Sequence, residues 1–193
     1  INALNQTFVN AVRSVDGNSD RCLLIPGYNT NIDLTISGLF KKPTDTTANR
    51  LMLSVHYYDP YDFTLNEQGT AEWDEETELA YMQGQMQKIS AFANGLNMPV
   101  IIGEYGAVNK ENDFNRIIYL SVLNRTAETY NIVTAYWDNG YTGQYGFALF
   151  DRNSNMIIES GTELINAIMN KWLWHLPCFK ADVFLWEGIK SED

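Results

Sequence analysis

The chain has 193 residues, 45% of them hydrophobic and 13% aromatic, which is enough for a sizeable core and excludes a disordered tail. Thirteen Lys and Arg residues against 24 Asp and Glu residues give a net charge of −11, which disfavours binding to nucleic acid and to anionic membranes. No apolar run approaches the roughly 20 residues of a membrane span, so we expect one soluble domain, beginning at Ile1 without Met as a processed or truncated product would.

The first half of the chain predicts a helix followed by two buried strands. Leu4, Phe8 and Val12 recur every four residues before Gly17, which is typical of an amphipathic helix. Residues 22–26 and 51–56 are short apolar runs and predict strands. Between them we expect a loop with a short helix over 29–40 and a polar connection over 41–50.

The second half continues the alternation of helix and strand. Asp74 is a plausible N-cap, and the apolar stripe that includes Met82 and Met86 runs on to Gly95 as a core-packing helix face. Residues 100–104 predict a third strand, 113–130 a helix and 132–137 a fourth strand. This alternation predicts an α/β fold with a parallel sheet covered by helices.

The composition changes after Asn170, where we place a boundary. The segment 171–193 holds three of the five tryptophans without a clean helical or strand period. It is either a hydrophobic clamp or sequence foreign to the domain, and composition does not separate the two.

Cysteine and histidine are too sparse for a metal or disulfide framework. Cys22 and Cys178 lie far apart in sequence, and we expect two buried or half-buried thiols. With only His56 and His175 in the chain, a His-rich zinc site is excluded by count.

The candidate functional residues stand where the predicted strands end. Because side chains alternate along a strand, Ser54, His56 and Tyr58 share one face, Ile102 and Glu104 share another, and so do Ala135 and Trp137. If these faces point inward, the last residues of the strands converge at one end of the sheet, where ligands of parallel α/β folds bind.

Glu104 has two interpretations. It follows an apolar run and a glycine, where a carboxylate is costly unless it is paired or used. One interpretation is a structural ion pair with Arg50 or Arg116, with His56 and Trp137 as ordinary core residues; Asp59 and Asp138 read as loop or cap residues. The other is a catalytic carboxylate, with a Tyr hydroxyl to orient it and an indole ring to stack on a sugar, which fits glycoside hydrolysis.

Three segments, in order, resemble strands six to eight of glycoside hydrolase family 5, the family of many endo-β-1,4-glucanases. They are VHYYDP at 55–60, VIIGEYG at 100–106 and AYWDNG at 135–140. NQTFVNAVR at 5–13 and LIPGYNTNID at 24–33 resemble the helix after strand four and the strand-five loop, so the resemblance covers about residues 1–169.

The resemblance implies a role for each candidate residue. Glu104 would be the nucleophile of a retaining mechanism, and His56 and Tyr58 would line the subsite of the sugar that is attacked. Trp137 would be the stacking platform, and Asn139 and the loop before Phe147 would add polar contacts. The substrate would be a β-1,4-linked glucan (cellulose, mixed-linkage glucan or xyloglucan), the enzyme secreted, and no cofactor or metal needed.

The chain also departs from the family pattern. Family members carry the acid/base glutamate in an Asn-Glu-Pro segment after strand four, whereas the only Asn-Glu here, Asn66-Glu67, is followed by Gln. A full (β/α)₈ barrel takes about 250 residues, so we expect the C-terminal half of a TIM barrel. Such a half-barrel is either an active fragment or a catalytically incompetent form that at most binds glucan. Its open edges call for a homo-oligomer, a complementary N-terminal half, or cover by the aromatic tail.

Overall fold

The computed structural model describes residues 1–169 and contains a four-stranded parallel sheet. Each strand pairs with the next along the chain, in the order β1 (Leu23–Pro26), β2 (Leu51–Tyr57), β3 (Val100–Tyr105) and β4 (Ile132–Tyr136). Parallel neighbours need a crossover, usually through a helix, and the chain supplies one. The predicted half of a TIM barrel is confirmed.

Six helices and a small ribbon accompany the sheet. The longer helices are α1 (Asn2–Arg13), α4 (Glu75–Gly95), α5 (Asp113–Thr129) and α6 (Gly161–Ile168). Short turns of helix, α2 (Ile32–Leu34) and α3 (Tyr61–Thr64), follow the first two strands, and α2 lies between a 3₁₀ turn at Tyr28–Thr30 and a π turn at Thr35–Leu39. Strands β5 (Phe150–Asp151) and β6 (Met156–Ile157) form an antiparallel ribbon. The Asp74 cap is confirmed, because its carboxylate accepts the Glu76 N–H at 3.0 Å.

The main core lies between the sheet and its helices. Alternate strand residues such as Ile25, Leu53 and Ile102 are fully buried there. Met82 and Met86 of α4 are equally buried, which confirms the stripe as core packing. This layer is the ordinary buried face of a parallel sheet.

The other face of the sheet is open. Leu24 on β1 and Val133 on β4, which lie on this face by alternation, are 45% and 54% exposed. In a closed barrel both would point into the interior. Within residues 1–169 the two edge strands have no further strand partner.

The orientation of α1 differs from the prediction. Leu4 and Phe8 of the proposed core stripe are exposed, whereas Asn5 and Val9 are buried against the sheet. The Asn5 amide donates to the Pro26 carbonyl at 2.9 Å, which fixes this polar residue inward at the end of β1. Leu4 and Phe8 therefore face away from the described core, whereas Val12, the third residue of the predicted stripe, packs against it.

Two further expectations meet different outcomes. Cys22 is exposed, because it precedes β1 at the sheet edge, so the prediction of a buried thiol is wrong for this residue. Cys178, His175 and the aromatic segment 171–193 lie outside the described residues. No helix within 1–169 has the length and apolar character to cross a membrane.

Lys110 ties two loops together at the end of the sheet where the strands terminate. Its ammonium group donates to the carbonyls of Asp62, Phe63 and Thr70 at 2.7, 3.1 and 2.8 Å. Burial lowers the pKa of Lys110, while the charge of Asp62 raises it. The loop after β2 is thus held to the loop after β3.

Asn124 provides a test of how α5 is fixed to the sheet. Its side-chain oxygen accepts the hydroxyls of Tyr105 and Thr134 at 3.1 and 2.7 Å, and its amide donates to the Leu120 carbonyl at 2.7 Å. We expect Asn124→Leu to lower the free energy of unfolding by about 2–5 kcal/mol, because two buried hydroxyls lose their acceptor. Urea unfolding measures the change. Asn94→Leu, at an exposed site on α4, is the control and should change stability by less than about 0.5 kcal/mol. Equal effects of the two substitutions would contradict the prediction.

Candidate active site

A β-bulge at the end of β3 sets the direction of Glu104. Val55 pairs with Ile102 but His56 pairs with Glu104, so Gly103 is the extra residue. The predicted sharing of a face by Ile102 and Glu104 is therefore wrong, since Ile102 is buried under the helices. The bulge turns Glu104 onto the open face, beside His56.

The Glu104 carboxylate has two neighbours on β2 and its following loop. The Tyr58 hydroxyl donates to Oε2 at 3.3 Å, and Nδ1 of His56 lies 3.2 Å from the same oxygen. Oε1 accepts no hydrogen bond from the described residues. The convergence of these three side chains agrees with the prediction.

The described residues do not form the alternative, a structural ion pair between Glu104 and Arg50 or Arg116. Arg116 donates to Asp113 at 2.8 Å and to the Ala107 carbonyl at 3.1 Å. Arg50 lies 4.0 Å from Asp20. Neither of these two guanidinium groups pairs with Glu104.

Burial shifts the pKa of both side chains that face Glu104. It raises the pKa of Tyr58 well above the usual range, and the negative charge of Glu104 raises it further. The phenol therefore stays protonated and remains a donor at neutral pH. Burial also lowers the pKa of His56, an effect opposed by the charge of Glu104. The imidazole is thus neutral at pH 7.

Trp137 and Asn139 follow β4 at the same end of the sheet. Trp137 presents an exposed indole, and its backbone N–H donates to the Tyr105 carbonyl at 3.0 Å. The side-chain oxygen of Asn139 accepts the backbone N–H groups of Tyr141 and Phe147 at 3.0 and 3.1 Å. Asn139 therefore organises the loop that follows it, and contact with a sugar stays a prediction for both residues.

Asp138 closes the same loop. Its carboxylate accepts the backbone N–H groups of Gly140 and Leu149 at 2.6 and 2.9 Å, and Arg152 lies 3.4 Å away. The interpretation of Asp138 as a loop residue is confirmed. Asp59 also lies in a loop, but burial and the nearby charge of Asp33 raise the pKa of its carboxyl.

A cleft of about 310 Å³ opens beside His56 and Tyr58. Its walls come from the loops after β1 and β2 and from α4, and they hold no Lys or Arg; the lining residues are Asn29, Thr30, Asn31, Ile32, Asp33, His56, Tyr58, Asp59, Tyr61, Tyr81 and Gln85. The walls are therefore rich in hydrogen-bond acceptors and aromatic rings.

Gln85 is the residue that sequence analysis missed in this cleft. Its amide nitrogen donates to Asp33 at 3.2 Å and to the Tyr81 hydroxyl at 2.7 Å, and its buried Oε1 has no partner among the described residues. Sequence analysis could have found Gln85 as a polar residue inside the buried stripe of α4, between Met82 and Met86. An unsatisfied buried acceptor is costly unless a ligand donates to it.

Glu67, the glutamate that follows an asparagine, is not among the residues that line this cleft. Glu67 is exposed in a turn whose geometry Asn66 holds by accepting the Gln68 N–H at 3.1 Å. No three His, Cys, Asp or Glu side chains in this part of the chain converge to hold a metal ion.

Comparison with known proteins identifies the family to which the chain is similar. The family model described as cellulase (glycosyl hydrolase family 5) matches residues 1–143. Endoglucanase A of Paenibacillus barcinonensis is 36% identical over 198 aligned residues, which cover 88% of this chain and 48% of that protein.

Solved structures extend the comparison to the fold. A family 5 xyloglucanase from Paenibacillus pabuli superposes with a TM-score of 0.80 at 36% identity, covering 88% of this chain and 54% of that one. A family 5 lichenase variant from Caldicellulosiruptor, in complex with cellotetraose, gives 0.79 at 35% identity, covering 88% and 48%. The chain therefore spans about half the length of these relatives.

The pairing of His56 with Glu104 predicts a titration with a definite sign. We expect His56 to titrate below about 6.5, and Glu104→Gln to lower its pKa further, because the substitution removes the charge that raises it. As pH falls, the unfolded chain takes up this proton before the folded chain does, so His56 weakens the fold in acid. NMR of the imidazole, assigned with a His175→Gln variant, measures both values. An unchanged His56 titration in Glu104→Gln would show that the two side chains do not interact.

Proposed function

The chain belongs to glycoside hydrolase family 5, and we propose that it carries the nucleophile half of a retaining active site for β-1,4-linked glucan. The observation that carries the proposal is the Glu104 carboxylate at the end of β3, held at Oε2 by the Tyr58 hydroxyl and 3.2 Å from Nδ1 of His56. The relatives named above support the class of substrate, since they include an endoglucanase, a xyloglucanase and a lichenase.

The proposed reaction begins at Glu104. Oε1 attacks the anomeric carbon, a covalent glycosyl–enzyme forms, and the bond to the leaving oxygen breaks with its electron pair. Tyr58, still protonated, holds Oε2 and keeps the carboxylate aligned for attack. Water later attacks the same carbon and gives its proton to the carboxylate of the acid/base residue that protonated the leaving oxygen, which releases the sugar and regenerates the Glu104 carboxylate.

The proposed glucan site extends to both sides of Glu104. Trp137 offers an exposed, flat indole face for a pyranose ring, and Asn139 has its amide nitrogen left for a sugar hydroxyl. On the other side, the cleft lined by Asp33, Asp59 and Gln85 offers acceptors for further hydroxyls. The absence of basic residues among the cleft-lining residues suits a neutral glucan better than a uronic acid polymer.

The second candidate is a catalytically incompetent half-barrel that at most binds glucan. It is favoured by the position of Glu67, the one glutamate after an asparagine, which is exposed in a turn. A retaining mechanism needs a second carboxyl about 5–5.5 Å from the nucleophile to protonate the leaving oxygen. We propose that this group comes from outside the described residues.

We propose that the open face of the sheet is where the missing half attaches. Leu24 and Val133 expose apolar surface on this face, and α1 exposes the apolar side chains of Leu4 and Phe8. A complementary N-terminal barrel half, or a second copy of this chain, would cover both surfaces. By family resemblance we also propose that the intact enzyme is secreted.

Trapping the glycosyl–enzyme tests the nucleophile. A fluorocellobioside with a dinitrophenyl leaving group needs no acid for the first step, and its fluorine slows the second. We expect one fluorocellobiosyl group on the peptide that contains Glu104, seen by mass spectrometry. Glu104→Gln should abolish the adduct, while Glu67→Gln, at an exposed site, should keep it. Glucan binding without any adduct would favour the incompetent half-barrel.

Hydrolysis of unactivated glucan tests the missing acid. We expect the chain alone to act roughly 10² to 10⁴-fold more slowly than Endoglucanase A of P. barcinonensis, because general acid catalysis contributes about that factor. The rate on activated aryl cellobiosides should fall by a smaller factor, because their leaving groups need less protonation. Reducing-end release across a concentration series, with sedimentation on the same samples, reports rate and assembly together. Comparable rates on glucan would mean that this chain or a second copy supplies the acid.

A further inference from the structure

Phe147 is fixed in place at three points. Its backbone N–H donates to the side chain of Asn139 at 3.1 Å, and its carbonyl accepts the Tyr136 hydroxyl at 2.9 Å. Its side chain is only 6% exposed. Since Asp138 closes the same loop at both ends, the position of Phe147 is set by the protein before any sugar binds.

The ring of Phe147 packs edge-on against the ring of Tyr58. Their centroids are 6.4 Å apart and their planes are 81° from parallel. The ring also lies close to Gly106, where an added Cβ would be 2.9 Å from a ring carbon. Phe147 therefore packs against both the loop after β2 and the segment that follows β3.

We propose that Phe147 is a positioning residue, which holds the Tyr58 hydroxyl on Oε2 of Glu104 and thereby aligns the nucleophile. The inference rests on the proposed function. The Tyr58–Glu104 hydrogen bond of 3.3 Å is long, so it depends on a ring that cannot swing away. The edge-on contact with Phe147 restricts that swing, and the loop after β4 is thereby linked to the nucleophile on β3.

The same geometry gives Asn139 and Tyr136 a purpose besides sugar binding or packing. Both bond the backbone of Phe147, one at its N–H and the other at its carbonyl. The loop is thus built to present one ring to Tyr58.

The test compares two phenylalanines in matched surroundings. Phe147→Leu removes the edge-on partner of Tyr58, and Phe40→Leu is the control, because Phe40 is also 6% exposed and packs edge-on against Phe92 at 6.2 Å. We expect Phe147→Leu to slow the maximal rate of labelling by the fluorocellobioside about 10-fold or more, which corresponds to loss of a hydrogen bond to a charged group. The concentration for half-maximal labelling should stay within about twofold, and Phe40→Leu should match the parent chain.

A double-mutant cycle separates positioning from general damage to the fold. In a Tyr58→Phe background there is no hydroxyl to position, so Phe147→Leu should cause no further loss of labelling rate. The same 10-fold loss in both backgrounds, or no loss in the parent chain, would overturn the proposal. If Phe147→Leu does not fold, Phe147→Met replaces it.

A second measurement does not depend on catalysis. NMR titration of tyrosines labelled at Cζ follows Tyr58, whose pKa is raised by burial and by Glu104. We expect Phe147→Leu to move this pKa down towards 10, and Phe40→Leu to leave it unchanged. If the parent chain forms no adduct, the proposed function fails, and an unchanged Tyr58 titration in Phe147→Leu then overturns the positioning role by itself.

Discussion

The β-bulge at Gly103 is the constraint on which the candidate site depends. Strict alternation after the buried Ile102 would direct Glu104 towards the helices, and the extra residue directs it towards the open face instead. Glycine suits the position, because a Cβ there would lie 3.0 Å from the Ser54 hydroxyl, tighter than ordinary contact. One residue without a side chain thus lets β2 and β3 stay paired while the carboxylate turns towards Tyr58 and His56.

The two faces of the sheet differ, since one holds the buried core and the other carries the candidate site residues. The face under the helices holds the buried aliphatic residues, together with polar groups such as Asn124 whose partners are all internal. The opposite face carries Glu104 and His56 beside apolar residues that remain exposed at its edges. A single layer of helices covers these four strands on one side only, and the candidate site residues lie on the other side.

Sequence analysis predicted the elements and the convergence at Glu104 because both depend on short-range patterns. The strands are mostly apolar runs, and β2 and β3 each carry a polar residue one position before the last, His56 and Glu104, which the structure brings together. Sequence analysis failed where tertiary contacts determine which way a side chain points. The hydrogen bond from Asn5 to Pro26, a residue of the following strand, determines which face of α1 points inward. The β-bulge at Gly103 cannot be recognised from the alternation of apolar and polar residues. The cleft joins Asp33, Asp59 and Gln85, which are far apart in sequence, and no local pattern connects them.

Lys110 bears on how the surface of the cleft can change during evolution. The loop after β2 contributes Asp59 and Tyr61 to the cleft, and the ammonium group holds this loop through three main-chain carbonyls. Every residue type offers the same carbonyl, so the anchor is indifferent to the side chains at its contact points. The loop can accumulate substitutions at its cleft-facing side chains without losing its attachment to the scaffold. Substitutions in this loop can therefore change its side chains without changing the main-chain contacts that hold it.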